Sequence, residues 1–170
     1  NQELASDQFA EVVKDCLQKI LQDMSDSRAR EGAKMKALIL ERLAEIESLV
    51  AKVKPLLPQQ VKEYQARLTA KLQEALNSVD EERVRQELVL FAQRIDVDEE
   101  LTRLTAHVAE VKRILDDNKL AGKRLDFLMQ ELNREANTLG SKSVSVETSQ
   151  ASMSLKVLIE QMREQIQNIE

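Results

Sequence analysis

The chain has 170 residues, of which 42% are hydrophobic and 32% charged, and a formal net charge of −5 at pH 7. Aromatic residues make up 2%, Trp is absent, and Gly and Pro number only 3 and 2; so little turn punctuation excludes an all-β fold, and this much hydrophobic residue at helical intervals excludes a disordered chain. The acidic balance argues against nucleic-acid binding by bulk electrostatics alone. The single cysteine, Cys16, rules out an intramolecular disulfide and fits a reducing compartment. No apolar run approaches the ~18 residues of a membrane span, and the start of the chain has no signal-peptide pattern. A first residue of Asn rather than Met is expected of a fragment of a longer protein.

In chain order, Phe9, Val12, Val13, Cys16, Leu17, Ile20, Leu21 and Met24 form one apolar stripe, expected to be buried, with Ser6 and Asp7 as cap and first-turn residues. The stripe resumes in phase at Met35, Leu38, Ile39, Leu43, Ile46, Leu49, Val50 and Val53, which predicts one long helix over roughly residues 7–54. Gly32 costs about 1 kcal/mol relative to Ala there, so the alternative is a break near 25–33. Pro55 and Pro58 predict the end of that helix and the start of the next, whose stripe is Val61, Tyr64, Leu68, Leu72, Ala75 and Val79. Two helices around a short Pro-bounded turn predict an antiparallel hairpin. Asp80 opens a third helix with Val84, Leu88, Phe91 and Ile95 inward. Val97, Leu101, Leu104, Val108, Val111 and Leu115 then recur at intervals of four and three, the cleanest helical pattern in the chain. A loop at 116–123 precedes a helix carrying Leu125, Leu128, Met129, Leu132, Ala136 and Leu139, with Gly140 as its left-handed stop. The Ser/Thr-rich segment 141–154 has the pattern of a short strand at "SVSV" but reads better as helix or turn, and Leu155, Leu158, Met162, Ile166 and Ile169 mark a last helix. The expected architecture is all-α: a long antiparallel helical hairpin over 1–80, followed by a compact helical bundle over 81–170.

Two polar faces accompany this pattern. Beside the seam of helix 97–115 run Asp96, Glu100, Arg103, His107 and Glu110, again at intervals of four and three; His107 is the only histidine. On the helix around 124–139, Glu131, Arg134, Glu135 and Thr138 share one side, flanked by Asp126, Gln130, Asn133 and Asn137. Carboxylates and imidazole suit a divalent cation such as Mn²⁺ or Mg²⁺, and arginine offers a planar fork to phosphate. A neutral imidazole is also a general base. Plainer roles exist for the same residues. Asp96 and Glu99 have the spacing of a capping box. Glu100 with Arg103, and Glu131 with Arg134 or Glu135, have the spacing of intrahelical pairs of small worth. Asn133 and Asn137 suit hydrogen bonding across a helix interface, and Cys16 reads as buried packing.

The segments "QELVLFAQRIDVDEELTRLTAHV" (86–108), "GKRLDFLMQELNREANTLGSKS" (122–143) and "LKVLIEQMREQIQNIE" (155–170) together resemble the C-terminal region of the bacterial YicC/YloC family, long called stress-induced proteins and now regarded as endoribonucleases. Residues 1–80 resemble the helical middle region of that family, and its N-terminal, β-containing domain has no counterpart in this chain. The resemblance implies a cytoplasmic, divalent-metal-dependent endoribonuclease that cleaves structured or small regulatory RNA and assembles as a hexamer around an RNA-accepting channel. The family motif is matched here by Glu87, Arg94, Asp96, Glu100, Arg103, His107, Arg124, Asp126, Gln130, Glu131, Asn133, Arg134, Glu135, Asn137, Ser141 and Lys142. Within it, Glu131, Glu135 and His107 rank first as metal ligands or acid/base groups, followed by Glu100 and Asp126 as further ligands. Arg103, Arg124, Arg134, Lys142, Asn133 and Asn137 are the RNA-binding candidates. The competing reading is a non-catalytic helical scaffold or oligomerisation module, or an RNA-binding adaptor. Geometry discriminates between them: a catalytic role needs Glu131, Glu135 and His107 to converge. The long apolar stripe of the hairpin is further expected to need self-association, or another domain, to complete its burial.

Overall fold

The computed structural model describes residues 2–77, 81–94, 97–117 and 122–167, with side chains described for 9–74, 82, 84–91, 97–117 and 122–167. The described residues form α1 (Gln2–Val53), a 3₁₀ turn (Lys54–Leu56), α2 (Leu57–Asn77), α3 (Glu81–Arg94), α4 (Val97–Asp116), α5 (Gly122–Lys142) and α6 (Val146–Gln167), and they contain no strand. The expected all-α fold with a long first helix and a packed bundle is what is observed. The chain divides into two compact units, residues 1–38 and 39–170; the expected division at 80 falls in a stretch outside the described residues.

In the first unit α1 begins at Gln2, ahead of the Ser6–Asp7 start that the sequence suggests. Its stripe is not buried: Phe9 is 71% exposed, and Val12, Val13, Leu17, Ile20, Leu21 and Met24 are exposed too. Cys16 is likewise exposed, contrary to the packing role expected of it. Periodicity identifies a face that suits burial; it does not supply the surface that buries it.

The second unit opens with the rest of α1, where Ile39, Leu43 and Ile46 are fully buried. At Pro55 the expected reversal does not occur. Val53 (φ −79°, ψ −41°) and Leu57 (φ −57°, ψ −46°) on either side of the 3₁₀ turn are both right-handed helical. Proline in the first turn of a helix lacks only an N–H that would go unbonded there, so the backbone stays helical from α1 into α2. The hairpin is formed one element later, by α2 and α3. Tyr64 stacks on Phe91 with ring centroids 5.9 Å apart, and Lys71 Nζ lies 3.0 Å from Glu87 Oε1. The residue expected to open α3, Asp80, lies outside the described residues, as do Asp96 and the side chain of Arg94.

The core belongs to α4, α5 and α6. Leu101, Leu104, Val108 and Val111 of α4 meet Met129, Leu132, Ala136 and Leu139 of α5, and Leu155, Ile159 and Met162 of α6 complete the interior; all are buried. At ~25 cal/mol per Å² of apolar surface removed from water, this three-helix contact stabilises the unit together with the buried Ile39, Leu43 and Ile46 of α1. Within this second unit, the end of α1 and α2 are tied to the three helices by polar bonds: Lys112 Nζ to Glu47 Oε1 at 2.6 Å, and the buried Thr148 Oγ1 donating to Gln60 Oε1 at 2.9 Å. The start of α6 follows from its cap. Ser145 Oγ accepts from the Thr148 backbone N–H at 3.2 Å, the N-cap arrangement, and so the Ser/Thr-rich segment becomes helix nine residues before Leu155.

Gly140 is not the left-handed stop expected of it. It lies inside α5, and its role is closeness: a Cβ there would sit 2.6 Å from Ser152 Oγ and 3.4 Å from Ser152 Cβ. Ser152 is buried and donates to the Ala136 carbonyl at 2.7 Å, so it cannot rotate away without losing that bond. Gly140→Ala is expected to cost about 1–3 kcal/mol through overpacking, and to lower the melting temperature by roughly 2–4 °C per kcal/mol. Ser152→Ala in the same background should recover part of the loss. Thermal unfolding followed by circular dichroism checks both; an unchanged melting temperature in Gly140→Ala would mean that α5 and α6 do not approach as described.

Candidate functional site

The polar faces of α4 and α5 meet along one edge of their contact. Glu100 of α4 pairs with Lys142 of α5, while Glu110 of α4 pairs with Arg124. Numbers rise on one helix as they fall on the other, so the helices run antiparallel. Between these two bonds lie His107, Glu131 and Glu135, which offer one ligand atom each, all within 4.8 Å of one another. Glu135 is buried, and His107 and Glu131 are partly so. The position follows from helix geometry. Glu131 and Glu135 are one turn apart on α5, and His107 occupies the flank of the α4 seam set by Leu104, Val108 and Val111.

Glu100 is a third carboxyl group beside this cluster. It is 4% exposed, its Oε1 accepts from Lys142 Nζ at 2.7 Å, and Arg103 Nη1 stands 3.9 Å from its Oε2. Burial pushes Glu100 up, but its hydrogen bond with Glu135 and the bond and charge of Lys142 outweigh that, and its carboxyl lies below the ordinary 4.5. Glu135 goes the other way. Burial first, then the neighbouring Glu100 carboxyl, push it up to about 7. Two carboxyl groups side by side in a buried site require a shared proton or a cation between them. Oε2 of Glu135 is buried and meets no hydrogen-bond donor among the described residues. An imidazole, two clustered carboxylates and an orphaned buried oxygen suit a divalent cation, so the residues fit the metal that the resemblance implies.

The other expected residues are arranged around this group. Arg103 Nη2 bonds Glu99, the plain intrahelical pairing, while its charge reaches Glu135. Arg134 is exposed beside the cluster, and its charge acts on Glu135 in the same sense. Asn133 is half-buried and Asn137 exposed on the far flank of α5. Asp126 stands apart from the cluster: its Oδ2 accepts from Gln130 Nε2 at 2.8 Å, and its Oδ1 is 3.5 Å from Arg163 Nε of α6. Lys142, an RNA-binding candidate, pairs with Glu100 and is 23% exposed.

Arg113 falls outside the residues expected from the sequence, although its three-residue spacing from Glu110 points to a pair. Its Nε and Nη2 donate to the two Glu110 oxygens at 2.8 Å each, and Arg124 Nη2 donates to Glu110 Oε1 at 2.6 Å. These bonds, Arg113's foremost, hold Glu110 down at about 2. Two guanidinium groups thus converge on one carboxylate at this end of the seam, and the charge of Asp117 acts on Arg113 as well.

Residues 53–170 match the family described as "Endoribonuclease YicC-like, C-terminal". The chain is 47% identical over 151 residues to the "Probable endoribonuclease YicC" of Haemophilus influenzae (strain ATCC 51907 / DSM 11121 / KW20 / Rd), a match covering 89% of this chain and 53% of that protein. It is 31% identical over 150 residues to the "Probable endoribonuclease YicC" of Clostridioides difficile (strain 630), covering 86% of this chain and 51% of that one. The chain thus spans about half the length of these curated relatives. No helix among the described residues is long and apolar enough to cross a membrane. With the match extending over α2 to α6 and the polar seam lying inside it, the chain belongs to the YicC-like endoribonuclease family and carries its C-terminal region.

Proposed function

We propose that this chain carries the active site of a divalent-metal-dependent endoribonuclease acting on structured RNA, small regulatory RNA included. The observation that carries the reading is the convergence of His107, Glu131 and Glu135, which a scaffold held together by helix packing does not need. These three side chains would hold the cation. When bound, a divalent cation supplies Lewis-acid stabilisation of phosphodiester charge and lowers the pKa of water. The protein's own groups do the rest. The Glu100–Lys142 bond fixes the wall against which Glu135 rests. Arg103 and Arg134 place positive charge beside the cluster, where a scissile phosphate needs it. The arginines around Glu110 extend that field along the seam. Together they offset locally the −5 net charge of the chain. The exposed apolar residues of α1 suit an oligomeric assembly; the hexamer and the cytoplasmic location are what the family resemblance implies.

The test is cleavage of a 5′-labelled RNA stem-loop by the intact protein in Mn²⁺ and in EDTA. Hydrolysis with metal should leave a 5′-phosphate on the downstream product, and EDTA should stop it. Cleavage in EDTA that leaves a 2′,3′-cyclic phosphate upstream would replace the metal route by attack of the RNA 2′-hydroxyl, with His107 as base. No cleavage under either condition would favour the scaffold or adaptor reading.

A further inference from the structure

Four aromatic rings are present in the chain: three Phe and one Tyr. Phe91 and Tyr64 stack on each other in the α2–α3 hairpin, and Phe9 lies in the first unit. Phe127 is the fourth. It is 58% exposed on α5, in a unit whose other α5 apolar residues (Leu125, Leu128, Met129 and Leu132) are buried. Helical spacing places it on the same side as Glu131 (four residues on) and Arg134 (seven on), with Arg124 three residues before. At 1.5 Å of rise per residue, Phe127 stands about 6 Å along the helix from the Glu131 ligand position. One stripe of α5 therefore carries, in order, an arginine of the Glu110 knot, an exposed aromatic face, a carboxylate of the cluster and a second arginine.

An exposed ring has two ordinary uses: contact with another protein surface, or stacking with a base. Its surroundings favour the second. A protein-contact residue at the centre of an interface sits among other apolar groups. Along α5, Phe127 instead has Lys123, Arg124, Gln130 and Glu131 as its neighbours three and four residues away. Alternating cations and an aromatic face are what a single strand of nucleic acid requires, the cations for phosphate and the ring for the base.

Resting on the endoribonuclease reading, we infer that Phe127 is the stacking platform for an unpaired nucleobase adjacent to the scissile phosphate, so that the site takes RNA loops, bulges or single-stranded segments. A base inside a duplex has both faces covered by its neighbours and cannot stack on a side chain, whereas a splayed base can. Phe127 is thus a binding residue that sets where along a folded RNA the cut falls, separate from the groups that perform it.

The experiment compares wild type, Phe127→Ala and Phe127→Trp in the intact protein. The substrates are a stem-loop RNA, the same RNA with an abasic nucleotide beside the mapped cut, and a fully paired duplex. Phe127→Ala should raise KM for the stem-loop about tenfold, within the range measured for lost base–aromatic stacking, with kcat within about threefold, and Phe127→Trp should restore KM. The abasic substitution should raise the wild-type KM by a similar factor and add nothing further in Phe127→Ala. The duplex should be cut poorly by all three proteins. Equal KM values for wild type and Phe127→Ala on a stem-loop that wild type cleaves would overturn the inference and leave the nuclease reading intact. A change in assembly mass in Phe127→Ala with RNA kinetics unchanged would overturn it in favour of a protein contact. If wild type does not cut, affinity for the stem-loop in EDTA decides. A Kd raised about tenfold by Phe127→Ala and unchanged in Phe127→Trp supports the platform, and equal Kd values, or no binding by wild type, overturn it.

Discussion

Glu135→Gln should raise the melting temperature of the metal-free protein and at the same time abolish metal-dependent cleavage. Burial and the adjacent Glu100 carboxyl lift Glu135 to about 7 from the ordinary 4.5. A carboxyl raised in the folded state contributes stability that is full below 4.5 and is lost as pH rises through about 7. At pH 8 in EDTA the native chain therefore holds an ionised, buried group against a second carboxylate. Gln is nearly isosteric, stays neutral, and brings an N–H₂ that can donate to Glu100. A shift of this size, discounted because the two carboxyl groups titrate together, amounts to about 1–3 kcal/mol. The corresponding gain is roughly 2–4 °C per kcal/mol at pH 8, fading toward zero at pH 4. Glu135→Gln also removes one charged oxygen donor. Cleavage should fall by more than the roughly 10–100-fold that follows loss of an outer-shell partner of a metal ligand.

Glu131→Ala separates the two effects. Glu131 is only partly buried, so its loss should reduce cleavage comparably with little change in melting. Melting curves at pH 4, 6 and 8 in EDTA, beside Mn²⁺-dependent cleavage rates, check both variants. A lower melting temperature for Glu135→Gln at pH 8 would mean that Glu135 is satisfied by a donor in the fold. Full activity would mean that the clustered carboxylates are structural. Stabilisation with loss of activity is the signature of a group held in an unfavourable environment for its function.

How much of this was legible in the sequence depends on how local the cause is. The polar faces of α4 and α5 are set by 3.6-residue periodicity, and a spacing rule sees that much. Spacing also foresees that His107, Glu131 and Glu135 can meet, because each flanks an apolar seam that must be buried. It does not see which charges neutralise which. Lys142 reads as a basic residue after a polar motif, yet the antiparallel register brings it to Glu100, 42 positions earlier. The same limit applies to Pro55, whose effect depends on whether it falls in a first turn or breaks one. It applies to Gly140, whose small size matters only because Ser152 lies opposite. The apolar face of residues 9–24 is correct as a pattern, and nothing in a pattern says what will cover it.

Lys142→Met should be the most destabilising of these substitutions, because it removes the counter-charge from a buried carboxylate and leaves the carboxylate in place. Glu100 is 4% exposed and Lys142 23%. Breaking a buried pair from one side typically costs 3–5 kcal/mol; with Lys142 partly in water, about 2–3 kcal/mol is expected here. The reverse change, Glu100→Gln, should cost less, since the freed ammonium can reach solvent. The double variant should recover most of the Lys142→Met loss, because a neutral amide beside a methionine carries no stranded charge. The pH dependence has a definite sign. Glu100 lies below its ordinary 4.5 in the native fold, so its contribution is present above that value and is lost as pH falls through the lower, folded one. The gap between wild type and Lys142→Met should therefore be full at pH 7 and narrow in acid. Urea unfolding of the four proteins at pH 7 and pH 4 measures the cycle. A Lys142→Met protein as stable as wild type but weakened in RNA binding would return Lys142 to the phosphate-facing role that the sequence suggests. A destabilised protein rescued by Glu100→Gln would establish that this lysine supports the wall behind Glu135.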